Sequence, residues 1–242
     1  MKKIQRYKRE LDVSYALGAS LTFELVKYRP ELVTRVFLSS SADLTGGMAK
    51  LLNLCEKNQI EIETNDKAFN ILSPKGNCFV IGEFKKTSFS LDKCSHIVLV
   101  NPSDAGNLGT IIRTAVGFGI DNIAIIRDAV DFYNPAVIRA SMGAAFHIKA
   151  EYFDTIEEYI SKFPENKRYA FMLSGSVPMG DVDAKEPFSL IFGNEASGLP
   201  DDFANFCTPV VIKHSDKIDS LNLPMASGIA MYEFTRKLRH IF

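Results

Sequence analysis

Between residues 101 and 119 the chain reads NPSDAGNLGTIIRTAVGFG, a run that sets an amide and a guanidinium at a spacing suited to polar chemistry. Leu108, Ile111, Ile112, Ala115 and Val116 recur at i, i+3, i+4, i+7 and i+8, the apolar stripe of a helix that faces a core. Arg113 falls off that stripe. Asn107 falls where the helix begins, so the turn offers an amide and backbone N–H groups, with a guanidinium one turn further on. An anion or a ribose phosphate suits such a set. Each piece also has a plain structural use: Asn107 as a helix cap, Arg113 as a solvated charge, Gly106 and Gly109 as turn formers.

Two further segments are unusual, IFGNEASGLP at 191–200 and KIDSLNLPMASGIAMYEF at 217–234. Together with NLGTIIRTA they resemble, in order, spacing and residue type, the three motifs of the SpoU/TrmH family of RNA ribose 2'-O-methyltransferases, members of the SPOUT class. NPAVIRASMGAAF at 134–146 is similar to the family's Arg-x-Ser-x-Gly-Ala segment. The resemblance is strong over residues 95–242. Over 1–93 it is looser, carried by the β/α pattern and by KGNCFVIGEF.

That resemblance implies transfer of a methyl group from S-adenosylmethionine to a ribose 2'-hydroxyl of structured RNA, ribosomal RNA before transfer RNA. Leu173, Ser174, Gly193, Asn194, Ile212 and Leu221 match positions where relatives hold the cofactor. Asn107, Arg113, Glu195, Ser220 and Asn222 match catalytic positions. A guanidinium holds its proton too firmly to serve as a base, so Arg113 is expected to bind the adjoining phosphate instead. Asn107, Glu195 and Asn222 would orient the ribose. Glu195 and Ser220 have capping as their structural alternative, and Gly193, Ile212 and Leu221 have turn or core roles. LNLPMAS is a mild departure from the commoner valine- and serine-containing form of the third motif. Relatives act as homodimers, and the same is expected here. A transfer RNA substrate, or an inactive RNA-binding assembly protein of the same fold, remains the alternative.

Composition fits a soluble α/β protein of two domains, with 242 residues and 46% hydrophobic content. Cys55, Cys78, Cys94 and Cys207 are widely spaced without a C-x-x-C pair, which indicates neither zinc nor a disulfide framework and suits a reducing cytoplasm. His96, His147, His214 and His240 lack ligand spacing and are read as structural or exposed; no metal is expected. No export signal or membrane span is expected either. The net charge of −1 hides an asymmetry: residues 1–93 carry 15 basic against 11 acidic side chains, and the remainder 13 against 18. In the basic half Lys2, Lys3, Arg6, Lys8 and Arg9 surround Tyr7, a set able to meet RNA phosphates and a base, or simply a solvated helix start. Arg139 is open between an RNA phosphate contact and a structural ion pair. Arg236, Lys237 and Arg239 complement the negative end of their helix. A dinucleotide-binding unit would need a G-x-G-x-x-G turn, which Gly106 and Gly109 do not form.

The elements that must position these residues alternate in both halves. An RNA substrate-binding domain over 1–93 would be a small three-layer α/β unit. It has a helix through SYALGASLTFELVKY, strands near VTRVFLS, IEIET and CFVIGEFKK, and helices at MAKLLNLCEK and DKAFNIL. The stretch 85–95 is the linker. A methyltransferase domain over 94–242 would hold a mostly parallel, doubly covered sheet from IVLVN, NIAII, FHIKAEYF, RYAFML, FSLIFG and PVVIK. Chains in general avoid knots. The resemblance nevertheless implies a deep trefoil knot in this domain, with the loops at 173–176, 192–198 and 212–221 converging on the cofactor.

Overall fold

The computed structural model describes residues 4–73, 77–174 and 176–239, and the chain divides into two compact units, 1–87 with 131–147 and 88–130 with 148–242. The elements begin with β1 (Val13–Leu17), α1 (Ala19–Tyr28), β2 (Val33–Leu38), α2 (Gly46–Lys57), β3 (Ile62–Thr64), α3 (Asp66–Leu72) and β4 (Val80–Lys85). There follow β5 (His96–Val100), α4 (Ala105–Gly117), β6 (Asn122–Ile126), α5 (Pro135–Ala140), β7 (Lys149–Phe153) and α6 (Ile156–Lys162). The chain continues through β8 (Lys167–Phe171), β9 (Val177–Pro178), β10 (Phe188–Phe192), β11 (Thr208–Val211) and α7 (Leu223–Arg239).

In the first unit the described strands run β1-β4-β2-β3, with β4 antiparallel to both its neighbours and β3 parallel to β2. The pleat sorts the side chains. Val36, Leu38 and Val80 face Val26 of α1 and Leu51 and Cys55 of α2, while Phe37 and Ile81 face Ala68 and Phe69 of α3. Three layers result, as expected. One element differs from the sequence reading: residues 14–17 are not the start of the first helix but most of strand β1. Gly18, at φ 107, ends the strand and lets α1 begin at Ala19.

The segment 131–147 joins this unit although about fifty residues separate it from β4. Phe132 is fully buried, Tyr133 donates its hydroxyl to Thr87 O (2.6 Å), and Phe146 meets Phe84 edge to face at 5.4 Å. Within it α5 starts as read, with Asn134 capping Ala136 N (2.9 Å) and Pro135 where no N–H is needed. The compact units thus change over at 87/88 rather than 93/94, and the continuous division of the sequence does not hold for 131–147. Residues 88–95 serve the second unit. Leu91 packs in its core, and the Leu91 and Asp92 N–H groups donate to Glu151 and Asn122.

The second unit holds a parallel sheet in the order β7-β6-β5-β10-β8-β11-β9 among the described residues. Strands β5, β6 and β10 are buried along their whole length, the mark of a sheet covered on both faces. One face packs Val98, Val100, Ala124 and Ile126 against Ile156 and Tyr159 of α6. Elsewhere α4 buries Leu108, Ile111, Ile112 and Ala115, and α7 places Phe234 on Tyr169 and Phe188 at 4.8 and 5.5 Å between ring centres. The two-residue strand β9 was not foreseen. No described helix is long and apolar enough to cross a membrane.

Candidate active site

Strand β5 delivers the chain to Asn101 (φ 52), and α4 starts four residues later. The cap is Asp104, whose carboxylate accepts from Asn107 N at 2.7 Å. Asn107 is therefore the third residue of the helix, not its cap, and its side chain is free to act elsewhere. It donates to Glu195 Oε1 at 3.1 Å. Glu195 Oε1 also accepts from Asp104 N (3.3 Å), and Oε2 accepts from Ser103 N (3.2 Å) and Ser103 Oγ (2.9 Å). Partial burial pushes this carboxyl up. Hydrogen bonds from its own backbone N–H, from Asn107 and from Ser103 outweigh that and hold its pKa below the ordinary glutamate value.

The loop after β10 is shaped for this clamp. Asn194 donates through Nδ2 to Asn101 O (2.7 Å), accepts from Ala196 N (2.9 Å) through Oδ1, and accepts from Gly198 N (2.9 Å) through its carbonyl. The turn is so tight that a Cβ on Gly193 would lie 2.1 Å from Gly198 C, and Gly198 itself has φ +67. Only glycine fits at 193.

The loops that leave the C-terminal ends of β8, β10 and β11 meet around one cavity of about 640 Å³. Leu173 and Ser174 come from the first, Gly193, Asn194 and Glu195 from the second, and Ile212, Ser220, Leu221 and Asn222 from the third, with Asn107 reaching in from α4. Strand C-terminal ends are where ligands settle in α/β sheets. The side chains of Ser220 and Asn222 have no hydrogen-bond partner among the described residues, so capping does not occupy them. Ser103 and Asp104, which carry no role in the sequence, and His214, read there as structural or exposed, belong here as well. Ser103 and Asp104 complete the clamp, and the S-D pair ahead of an apolar period was the available signal. His214 lines the cavity, its Nδ1–H donating to Ile212 O at 2.9 Å, and nothing in histidine spacing marks it.

Other expected site residues do not line this cavity. Arg113 is exposed, does not line the cavity, and has no side-chain partner among the described residues. Arg139 sits on α5, and Arg6 and Arg9 lie in the irregular stretch before β1, all in the first unit. Lys2, Lys3 and His240 lie outside the described residues. Residues 4–10 are not a helix start. His96 is buried between Tyr159 OH and Asp92 O (both 2.8 Å), and His147 pairs with Glu24 at 3.3 Å. No group of three His, Cys, Asp or Glu side chains able to hold a metal occurs among the described residues.

The segment that builds the cavity, residues 95–232, matches the model of the SpoU rRNA methylase family. The chain belongs to this family. Among SpoU relatives, an uncharacterized tRNA/rRNA methyltransferase of Synechocystis sp. is 31% identical over 147 residues, covering 58% of this chain and 53% of its own length. The 23S rRNA (guanosine(2553)-2'-O)-methyltransferase RlmP of Bacillus subtilis is 30% identical over 136 residues, covering 53% of each. The alignments thus span about half the length of these curated relatives. A crystal structure of an AdoMet-bound rRNA methyltransferase from Sinorhizobium meliloti superposes with a TM-score of 0.79 at 26% identity, covering 96% of this chain and 88% of that one. The SpoU match and the three converging loops fall on the same residues.

Proposed function

We propose that this chain is an S-adenosylmethionine-dependent RNA ribose 2'-O-methyltransferase, with ribosomal RNA preferred over transfer RNA as substrate. The observation that carries this reading is the convergence of Asn107, Glu195, Ser220 and Asn222 with the loops 192–198 and 212–221 on one cavity. Its volume of about 640 Å³ falls in the range of small-molecule sites. Apolar Phe171, Leu199 and Leu221 alternate there with polar Asn194, Ser220 and Asn222, a lining suited to a nucleoside carrying an amino-acid tail. Leu173, Ser174, Gly193, Asn194, Ile212 and Leu221 would hold S-adenosylmethionine, which supplies an electrophilic methyl on a sulfonium.

The chain's own residues align and dry the reacting groups. Glu195, saturated by Ser103, Asp104 and Asn107, fixes the amide of Asn107 rather than offering a free carboxylate to the ribose. Ser220 and Asn222 keep their hydrogen-bonding capacity for substrate. Transfer would form the O–CH3 bond as the S–CH3 bond breaks and the 2'-hydroxyl gives its proton to solvent; because charge is cancelled only as the oxygen loses that proton, residues that hold the reactants about 3–3.5 Å apart and limit bulk water favour it. Arg113 stays charged and binds the phosphate next to the reacting ribose.

A homodimer reconciles Arg113 with the cavity. Met225, Ile229 and Tyr232 project from α7 at i, i+4 and i+7 and are 61%, 37% and 44% exposed, and α7 packs on α4, the helix that bears Arg113. A two-fold pairing of these helices would cover the apolar stripe and carry Arg113 to the partner's cavity. The strand order β5-β10-β8-β11 supports the trefoil knot, since the chain returns between β5 and β8 before passing to the far side of β8. The first unit is read as the RNA substrate-binding domain, with Arg6, Arg9, Lys3 and Arg139 as its phosphate ligands, and the protein as cytoplasmic.

The test is methyl transfer from labelled S-adenosylmethionine to total RNA lacking the modification, with the labelled ribose mapped. One mapped 2'-O-methyl is expected, with Arg113→Lys retaining cofactor affinity and losing most turnover. Cofactor binding without transfer to any ribosomal, transfer or precursor RNA would favour the inactive RNA-binding alternative.

A further inference from the structure

We propose that the first unit carries a second cavity that takes one unpaired RNA nucleotide, its base against Tyr7 and its phosphate on Arg6. The proposal rests on the reading of RNA as substrate and names a place within the first unit where an unpaired nucleotide is gripped. The second cavity, of about 290 Å³, is lined by Arg6, Tyr7, Leu17, Ile71, Leu72 and Pro135. Small-molecule sites start near about 300 Å³, so a single nucleotide fits here and a larger cofactor does not.

The walls suit a base. Leu17 and Leu72 belong to the cluster built on Tyr15 and Phe69, which gives the cavity an apolar floor. Tyr7 is held rigid: its hydroxyl donates to Asp131, and Lys86 Nζ stands 4.6 Å from its ring centre. Lys86 is in turn fixed by donating to Arg9 O at 2.9 Å. An aromatic ring ordered in advance loses little freedom when a base stacks on it.

The rim suits a phosphate. Arg6 is exposed and its guanidinium has no hydrogen-bond or ion-pair partner among the described residues, so its donors are available to phosphate oxygens. Arg139 is likewise exposed and unpartnered among those residues. It stands on α5, which begins at the cavity-lining Pro135. A neutral apolar ligand would leave Arg6 unused, and a duplex would hide its base faces from Tyr7.

The experiment uses the full chain with a mixed-sequence single-stranded RNA dodecamer containing 4-thiouridine, followed by anisotropy and by photo-crosslink mapping. Wild type, Arg6→Ala and Leu17→Trp are compared, with S-adenosylmethionine binding measured alongside as the check on folding. Arg6→Ala is expected to weaken the oligonucleotide about five- to tenfold and to lower the salt slope by about one phosphate's worth. Leu17→Trp, which fills the cavity, is expected to abolish the crosslink to the peptide bearing Tyr7. Equal affinity of all three proteins, or crosslinks confined to other peptides, overturns the proposal while leaving RNA as substrate. Equal binding of the duplexed dodecamer, or displacement by polyglutamate and not by polyuridylate, also overturns it. No binding of any RNA by wild type would remove the substrate reading and this proposal together.

Discussion

Glu195 faces the cavity with its acceptor positions filled from Ser103, Asp104 and Asn107, so it works as a clamp between the loop 192–198 and the first turn of α4. Glu195→Gln replaces one oxygen by an amide donor that meets donors. Losing charge-assisted bonds of about 1.5 kcal/mol is expected to lower kcat/KM about tenfold, with the fold intact by circular dichroism. The pH dependence follows from the lowered pKa of Glu195. The folded state binds fewer protons than the unfolded chain, so the clamp's contribution is complete above the unfolded value of about 4.3 and fades as pH falls through the folded pKa. Thermal melts between pH 5 and 3 are expected to fall more steeply for wild type than for Glu195→Gln; parallel curves would remove the clamp from the stability of the loop. At Gly193 a methyl group collides with Gly198 C at 2.1 Å. Gly193→Ala is expected to weaken S-adenosylmethionine by more than about tenfold in calorimetry, because this backbone contact cannot give way without opening the turn. Asn107 stood out by its place in the turn before an apolar period, and Glu195, Ser220 and Asn222 by the resemblance of their segments to the family motifs. Neither signal revealed that Glu195 is consumed by its own scaffold, because Ser103 and Asp104 stand about ninety residues away from it.

Strands β5, β6 and β10 were readable because burial on both faces leaves an uninterrupted apolar run, and α4 because its stripe keeps the helical period. Strand β1 was not. SYAL and ASLTFELVKY join into one apolar stretch, and only the positive φ of Gly18 separates strand from helix. Nor could sequence place 131–147, whose attachment is made by long-range contacts such as Tyr133 to Thr87. The first sheet contains one feature whose strength can be measured. Arg35 and Glu83 are 8% and 5% exposed and form a two-pronged pair, Nε to Oε1 at 3.1 Å and NH2 to Oε2 at 3.2 Å, with Thr34 adding 2.7 Å to Oε1. Glu83→Ala removes the two-pronged partner of a buried guanidinium that keeps Glu63 at 3.3 Å, and is expected to lower unfolding free energy by about 3 kcal/mol in urea. Asp92→Asn, which breaks the exposed pair with Lys149, is expected to change it by less than about 1 kcal/mol. A similar loss in both variants would mean that burial does not govern the Arg35 pair.

At the scale of the molecule, the geometry that needs explaining is the distance between function and position at Arg113. It lies on the solvent face of α4, outside the cavity that collects the other four catalytic candidates. If it acts within its own chain, no dimer is required. If it acts on the partner's cavity, two defective proteins must repair each other. Arg113→Ala and Asn222→Ala are each expected to be inactive alone. Mixed and allowed to exchange, half the dimers pair one of each, and in those dimers one of the two sites unites an intact Asn222 with an intact Arg113 from the partner. Activity of about a quarter of wild type is then expected. Ile229→Glu, introduced into both, places a charge on the apolar stripe of α7 and is expected to give monomers in sedimentation and to abolish the recovery. Mixtures that stay inactive, although sedimentation shows dimers that exchange, would return Arg113 to its own chain and leave the stripe as an interface without a catalytic part.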